Sequence, residues 1–127
     1  MDTGAFIYLE FLRKTLLPLP GVTEKLHFET PAFYVGKKIF ARLKEDGETL
    51  MIHTTEREKW MDTDETTFFI TDHYRHYDYM LVALKTVSPD DLKLLLLTAW
   101  RNRAPVKLRK EFETALFLNH DYINKKR

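Results

Sequence analysis

Lys38-Ile39-Phe40-Ala41-Arg42-Leu43-Lys44, then Glu45-Asp46-Gly47-Glu48, then Leu50-Met51-Ile52-His53, spell out two strands and the turn between them. Side chains alternate across a strand, so Ile39, Ala41 and Leu43 are expected on one side and Phe40, Arg42 and Lys44 on the other. Asp46-Gly47 supplies the positive φ of a tight hairpin turn. Leu50 and Ile52 then face inward on the returning strand. The unit is an antiparallel hairpin, one face of which must be covered.

Upstream, Gly36-Lys37 reads as another tight turn. Phe28 to Val35 reads as one extended segment, which Pro31 demotes to an edge or a bend because it has no N–H to donate. Residues 3–17 read as a helix with Phe6, Leu9, Leu12 and Leu16 on its apolar stripe, widened by Ile7 and Phe11. Asp2 or Thr3 can cap its start. Pro18 and Pro20 stop it.

Downstream, Thr55-Glu56-Arg57-Glu58 has the form of a capping box opening a short helix through Trp60 and Met61. Thr67 to Thr71 and Met80 to Val87 read as strands, the second apolar on both faces over part of its length and therefore central. Ser88-Pro89-Asp90-Asp91 combines a cap, a proline at the first helical position and two carboxylates in the first turn. Leu92, Leu95, Leu96, Ala99 and Trp100 follow at helical spacing. Ala104-Pro105 breaks that helix and starts another, with Leu108, Phe112, Ala115 and Leu116 as its stripe and Asn119 as its stop. This order predicts an α+β domain: an antiparallel sheet of about five to six strands with the N-terminal and two C-terminal helices on one face. One domain over 1–127 is expected, with a core at 5–118 and a tail at 119–127.

The 127 residues, 44% hydrophobic and 13% aromatic, suffice for one core and exclude intrinsic disorder. No cysteine occurs, which excludes disulfides, cysteine zinc sites and thiol catalysis. The longest apolar run, Leu94 to Leu97, is far short of the ~20 residues of a spanning helix, and Met1-Asp2-Thr3-Gly4 does not read as a signal peptide. A cytoplasmic protein without a membrane partner is expected. Twenty Lys and Arg against 19 Asp and Glu leave a net charge of +1. It is unevenly placed: residues 1–100 hold 12 basic and 16 acidic side chains, and residues 101–127 hold eight and three.

No catalytic constellation can be assembled. Ser88 is the single serine and already caps a helix, and the four glycines are scattered. His73 and His76, flanked by Asp72 and Asp78, fall short of the converging ligands that zinc requires. No metal, cofactor or catalytic residue is expected. Two binding surfaces remain. Trp60, His73, Tyr74, Arg75 and Tyr77 form an aromatic patch suited to a small molecule or a protein partner. Lys37, Lys38, Arg42, Lys44, Arg75, Arg101 and Arg103 could instead follow a phosphate backbone, weakly and in a salt-sensitive way.

Several stretches together resemble the MmcQ/YjbR family: Leu19-Pro20-Gly21-Val22, Thr30-Pro31-Ala32-Phe33, Lys38 to Leu43 with Asp46-Gly47-Glu48, His73-Tyr74-Arg75 ahead of Leu81-Val82-Ala83-Leu84, and Ala99-Trp100 before Ala104-Pro105. The resemblance covers about residues 5–115. It implies a frataxin-like α+β fold and DNA binding through two hairpin wings, with no catalytic residue to carry over. Two positions depart from the family pattern: His76 stands where glycine is usual, and Asp72 where proline is common. The wing tip Gly36-Lys37-Lys38 is basic, but Glu45-Asp46-Gly47-Glu48 carries three negative charges.

Overall fold

A computed structural model describes residues 3–125, and the side chains of residues 4–118. Helix α1 (Thr3–Leu16) leads into strands β1 (Val22–His27), β2 (Thr30–Val35), β3 (Lys38–Leu43) and β4 (Thr49–His53). Then come helix α2 (Arg57–Thr63), strand β5 (Phe68–Phe69), a single 3-10 turn at Asp72–Tyr74, and strand β6 (Tyr79–Ala83). Helices α3 (Pro89–Arg103) and α4 (Val106–Lys125) close the chain. The sheet is six-stranded in the order β1-β2-β3-β4-β6-β5, with every pair antiparallel. The fold is α+β.

The main core lies between the sheet and the helices. Leu12, Leu16, Phe33, Phe40, Leu50, Ile52, Met80, Val82, Leu96 and Trp100 are fully buried there. Trp100 also donates its indole N–H to the Pro20 carbonyl at 3.0 Å, fixing the chain between α1 and β1 on the last turns of α3. Truncating Phe33 or Phe40 to alanine in such packing costs about 3–5 kcal/mol. Ser88 caps α3 as its sequence predicts, its hydroxyl accepting from the Asp91 N–H at 3.1 Å. All five residues of the predicted α3 stripe are buried.

Several expectations are corrected. The segment Phe28 to Val35 is not one extended piece. Phe28 (φ 49) and Glu29 (φ 65) form a left-handed turn that makes β1 and β2 a hairpin. Neither residue is Gly or Asn, so no local signal announces the turn.

The alternation along β3 is also broken. Phe33 pairs with Ala41 and Tyr34 with Ile39, leaving Phe40 as a bulge. One extra residue reverses the alternation beyond it. Phe40, Ala41 and Leu43 therefore face the helices, while Ile39 packs on the open face.

Phe6 and Ile7 lie outside the α1 stripe, 55% and 60% exposed, and Ala5 takes the inward position. The capping box does not form. The cap position of α2 falls one residue later, on Glu56, whose side chain makes no capping bond, and Thr54 Oγ1 accepts the Glu56 N–H instead. β5 is only two residues long, and β6 spans 79–83 rather than 80–87. Helix α4 runs past Asn119 to Lys125, and its predicted stripe holds only at Leu108 and Phe112, since Ala115 and Leu116 are exposed. The side chains of the expected tail, 119–127, and the Asp2 and Thr3 cap lie outside those described. Among the described residues, no helix is long and apolar enough to cross a membrane.

Candidate functional site

The helices cover one face of the sheet, and the segment 71–79 covers part of the other. A second, smaller core forms there, with Met51, Tyr74 and Leu81 buried and Ile39, Phe69, Ile70 and Tyr79 against them. Beside it opens a cleft of about 500 Å³. Its floor is Ile39, Arg42, Lys44 and Met51 from β3 and β4 and the residue after β3. One wall is His27 and Phe28 at the β1–β2 turn. The facing wall is Thr71, His73, Tyr74, Tyr77 and Tyr79.

The bulge at Phe40 creates this floor. Without it, Ile39 and Arg42 could not share a face, because three residues of regular strand separate opposite sides. The facing wall is held by Arg57, at the start of α2. Its Nη1 donates to the carbonyls of Tyr74, Tyr77 and Tyr79 at 2.8, 2.7 and 3.2 Å, and its Nη2 to that of Arg75 at 2.7 Å. The Thr54 N–H adds a bond to the Asp78 carbonyl at 2.9 Å. An irregular segment has carbonyls that no ladder satisfies, and the planar guanidinium fork meets four of them at once.

The rings of the facing wall stack in sequence. His73 and Tyr74 meet edge-on at 4.8 Å, Tyr74 and Tyr79 at 6.3 Å, and His73 lies 6.4 Å from Tyr77. Arg42 is 5% exposed, donates to Glu45 Oε1 at 2.7 Å and holds its guanidinium 5.6 Å from the centre of the Phe28 ring. Lys44 donates to the Tyr74 hydroxyl at 3.1 Å. Its Nζ lies 3.9 Å from Glu45 Oε2. A hydrogen bond from its own backbone, together with the charges of Arg42 and Lys44, holds the Glu45 carboxyl below the usual range.

Of the predicted aromatic patch, His73, Tyr74 and Tyr77 come together in the cleft, and two members do not. Trp60 lies on the helical side of the sheet, 5.1 Å from Phe68 and packed on the main core. Arg75 turns away from the cleft and pairs with Asp72 at 2.7 Å.

The predicted phosphate-binding set is dispersed. Lys37 and Lys38 are exposed at the β2–β3 turn, and Arg101 is exposed on α3. Arg42 and Lys44 line the cleft beside Glu45. Arg103 is spent on structure, donating to the Ile39 carbonyl and the Tyr79 hydroxyl, both at 3.2 Å.

His27, Phe28, Ile39, Met51 and the organising Arg57 are absent from the sequence-derived site. Arg57 was readable only as part of a capping box, and the others only as strand residues. Among the described residues, no group of three or more His, Cys, Asp or Glu is placed to hold a metal.

No curated protein matches this sequence. The fold is similar to that of the crystal structure of Deinococcus radiodurans protein DR2400, a DUF419 domain. That similarity has a TM-score of 0.65 at 22% identity and covers 81% of this chain and 86% of that one. The YjbR family model matches residues 17–102, from the end of α1 to the end of α3, and so includes every residue that lines the cleft. The chain belongs to the YjbR family.

Proposed function

We propose that this protein is a non-enzymatic binding module and that the cleft on the open face of its sheet receives a small molecule. The observation that carries this reading is the concavity itself. Its volume of about 500 Å³ lies in the range typical of small-molecule sites, and rings supply most of its walls. A phosphate backbone calls for exposed, convergent cations. Arg42 is buried against Glu45, Arg75 is paired with Asp72, and Arg103 bonds to protein acceptors. Lys37, Lys38 and Arg101 are too few and too scattered to compete with the cleft as a reading.

Amide-resolved NMR titration tests the assignment. A panel of small aromatic fragments should shift the resonances of residues 27–28, 42–44 and 74–79 as one set. If none does so, while duplex DNA at low salt shifts Lys37, Lys38 and Arg101, the small-molecule reading is wrong and the wing surface takes its place.

A further inference from the structure

The lining of the cleft is selective in its chemistry. Rings furnish both walls, and among the described residues no carboxylate lines it. Two cations stand on its floor, Arg42 and Lys44, and a single acidic side chain, Glu45, is paired with them from its more exposed position. The lining itself is therefore positive, while Glu45 and Asp46, whose carboxyls both feel the Lys44 charge, lie outside it. Arg42 is the member that Glu45 neutralises, with both Nη atoms directed at Oε1. Lys44 has three N–H donors, of which one reaches the Tyr74 hydroxyl, and Glu45 at 3.9 Å is beyond hydrogen-bond distance. Two Lys44 N–H donors thus stand at the base of the cleft for an anion to accept.

The Phe28 wall adds a second, independent observation. Phe28 and its successor Glu29 both hold φ in the left-handed region, at 49° and 65°. A bulky residue there is an outlier, and such strain concentrates at ligand clamps and switches. Phe28 is 75% exposed, so the pairing of β1 with β2, and not burial of its own ring, holds the turn. The turn presents the ring to the cleft lining, 5.6 Å from the Arg42 guanidinium and 4.4 Å from the His27 ring.

We infer that the ligand of this cleft is a planar aromatic molecule carrying a single anionic group, its ring held between Phe28 and the tyrosine wall and its anion on Lys44. This inference rests on the small-molecule reading above and names its ligand class. A neutral aromatic would leave the two remaining Lys44 donors without an acceptor, and an aromatic cation would be repelled.

Two fluorescent dyes with the same ring system separate the terms: anilinonaphthalene sulfonate, which is anionic, and phenylnaphthylamine, which is neutral. The sulfonate should bind roughly ten- to hundredfold more tightly, the value of one charge-assisted hydrogen bond. Lys44→Met should bring its affinity down to that of the neutral dye and leave the neutral dye unchanged, whereas Lys44→Arg should keep the preference. Circular dichroism of both variants checks that the fold survives. Amide shifts at residues 27–28 and 74–79 report that both dyes occupy the cleft.

Equal affinities in the wild type, or a preference that survives Lys44→Met, overturn the inference and leave the cleft a binding site. If neither dye shifts the cleft amides, the small-molecule reading falls with it. Displacement of the sulfonate dye by naphthoate or by naphthyl phosphate supports the class, the stronger competitor telling a carboxylate from a phosphomonoester. Displacement by neither overturns it.

Discussion

Replacing Arg57 by alanine should open the wall of the cleft while leaving the main core intact. The guanidinium reaches four carbonyls, of Tyr74, Arg75, Tyr77 and Tyr79. Three of those contacts share the two hydrogens of Nη1, so about three effective bonds are lost. At ~1.5 kcal/mol each, the lower bound for a charged donor, the gross loss is about 4–5 kcal/mol. Arg57 is only 17% exposed, but most of the segment it holds is exposed. Water replaces part of what is lost, and the net cost should be about 2–3 kcal/mol. For a domain of this size that lowers Tm by roughly 8–12 °C. Urea denaturation gives the total, and native-state amide exchange gives its location. The N–H groups of Tyr74, Arg75 and Tyr77, bonded to Thr71, Asp72 and Tyr74, should lose protection before any amide of β3 or β4. Arg57→Lys should recover less than half, since an ammonium lacks the planar fork. A cost within the ~0.5 kcal/mol of an ordinary surface change, with those three amides still protected, would refute the clamp.

Two further predictions concern backbone and pH. Gly36 (φ +60) and Gly47 (φ +70) both occupy hairpin turns, but a Cβ at Gly36 meets nothing within 4 Å, whereas one at Gly47 would lie 2.7 Å from the Cβ of Ala5. Gly36→Ala should therefore cost only left-handed strain, roughly 1–2 kcal/mol, and Gly47→Ala about 1 kcal/mol more because α1 must shift; equal costs by denaturant titration would show that α1 does not press on the turn. Burial, and secondarily repulsion from Arg103, holds the His53 imidazole below its ordinary 6.5, so the folded state favours the neutral ring. Stability from this source is full above pH 6.5 and is lost as pH falls through the lower folded value. Its Nδ1 is buried without a hydrogen-bond partner, so His53→Phe should cost little at neutral pH and flatten the acid-side decline; parallel declines in variant and wild type would exclude His53 as the group.

Much of the fold was legible because its signals are local. Ser88-Pro89-Asp90-Asp91 starts a helix through groups a few bonds apart, and the stripe from Leu92 to Trp100 needs only the helical period to be read. Asp46-Gly47 marks its hairpin for the same reason, through the positive φ that Gly47 adopts. Errors arose where long-range packing overrode a local rule. Phe28-Glu29 turns without a turn residue, and the paired strands on either side hold it there. Phe40 bulges because β2 and β3 must both place large residues in the core, and the bulge reverses the side on which Ile39 lies.

The candidate site was legible only in part, since a cleft is a meeting of segments. His73, Tyr74 and Tyr77 stood out as an aromatic run, and they do form a wall. Their proximity to Arg75 along the chain suggested a guanidinium at the site. The 3-10 turn instead sends Arg75 outward to Asp72, and Arg42 and Lys44, some thirty residues earlier, supply the positive charge.

The α+β class, most of the element order, the α3 helix and the family are written in local sequence. These depend on backbone propensity, capping and the period of apolar residues, all short-range properties. The face that Ile39 and Arg42 share, the arginine that clamps the wall, the one that turns away and the cleft itself arise only when distant segments pack together. A one-residue change of register moves a side chain to the opposite face of the sheet, and only strand pairing sets that register.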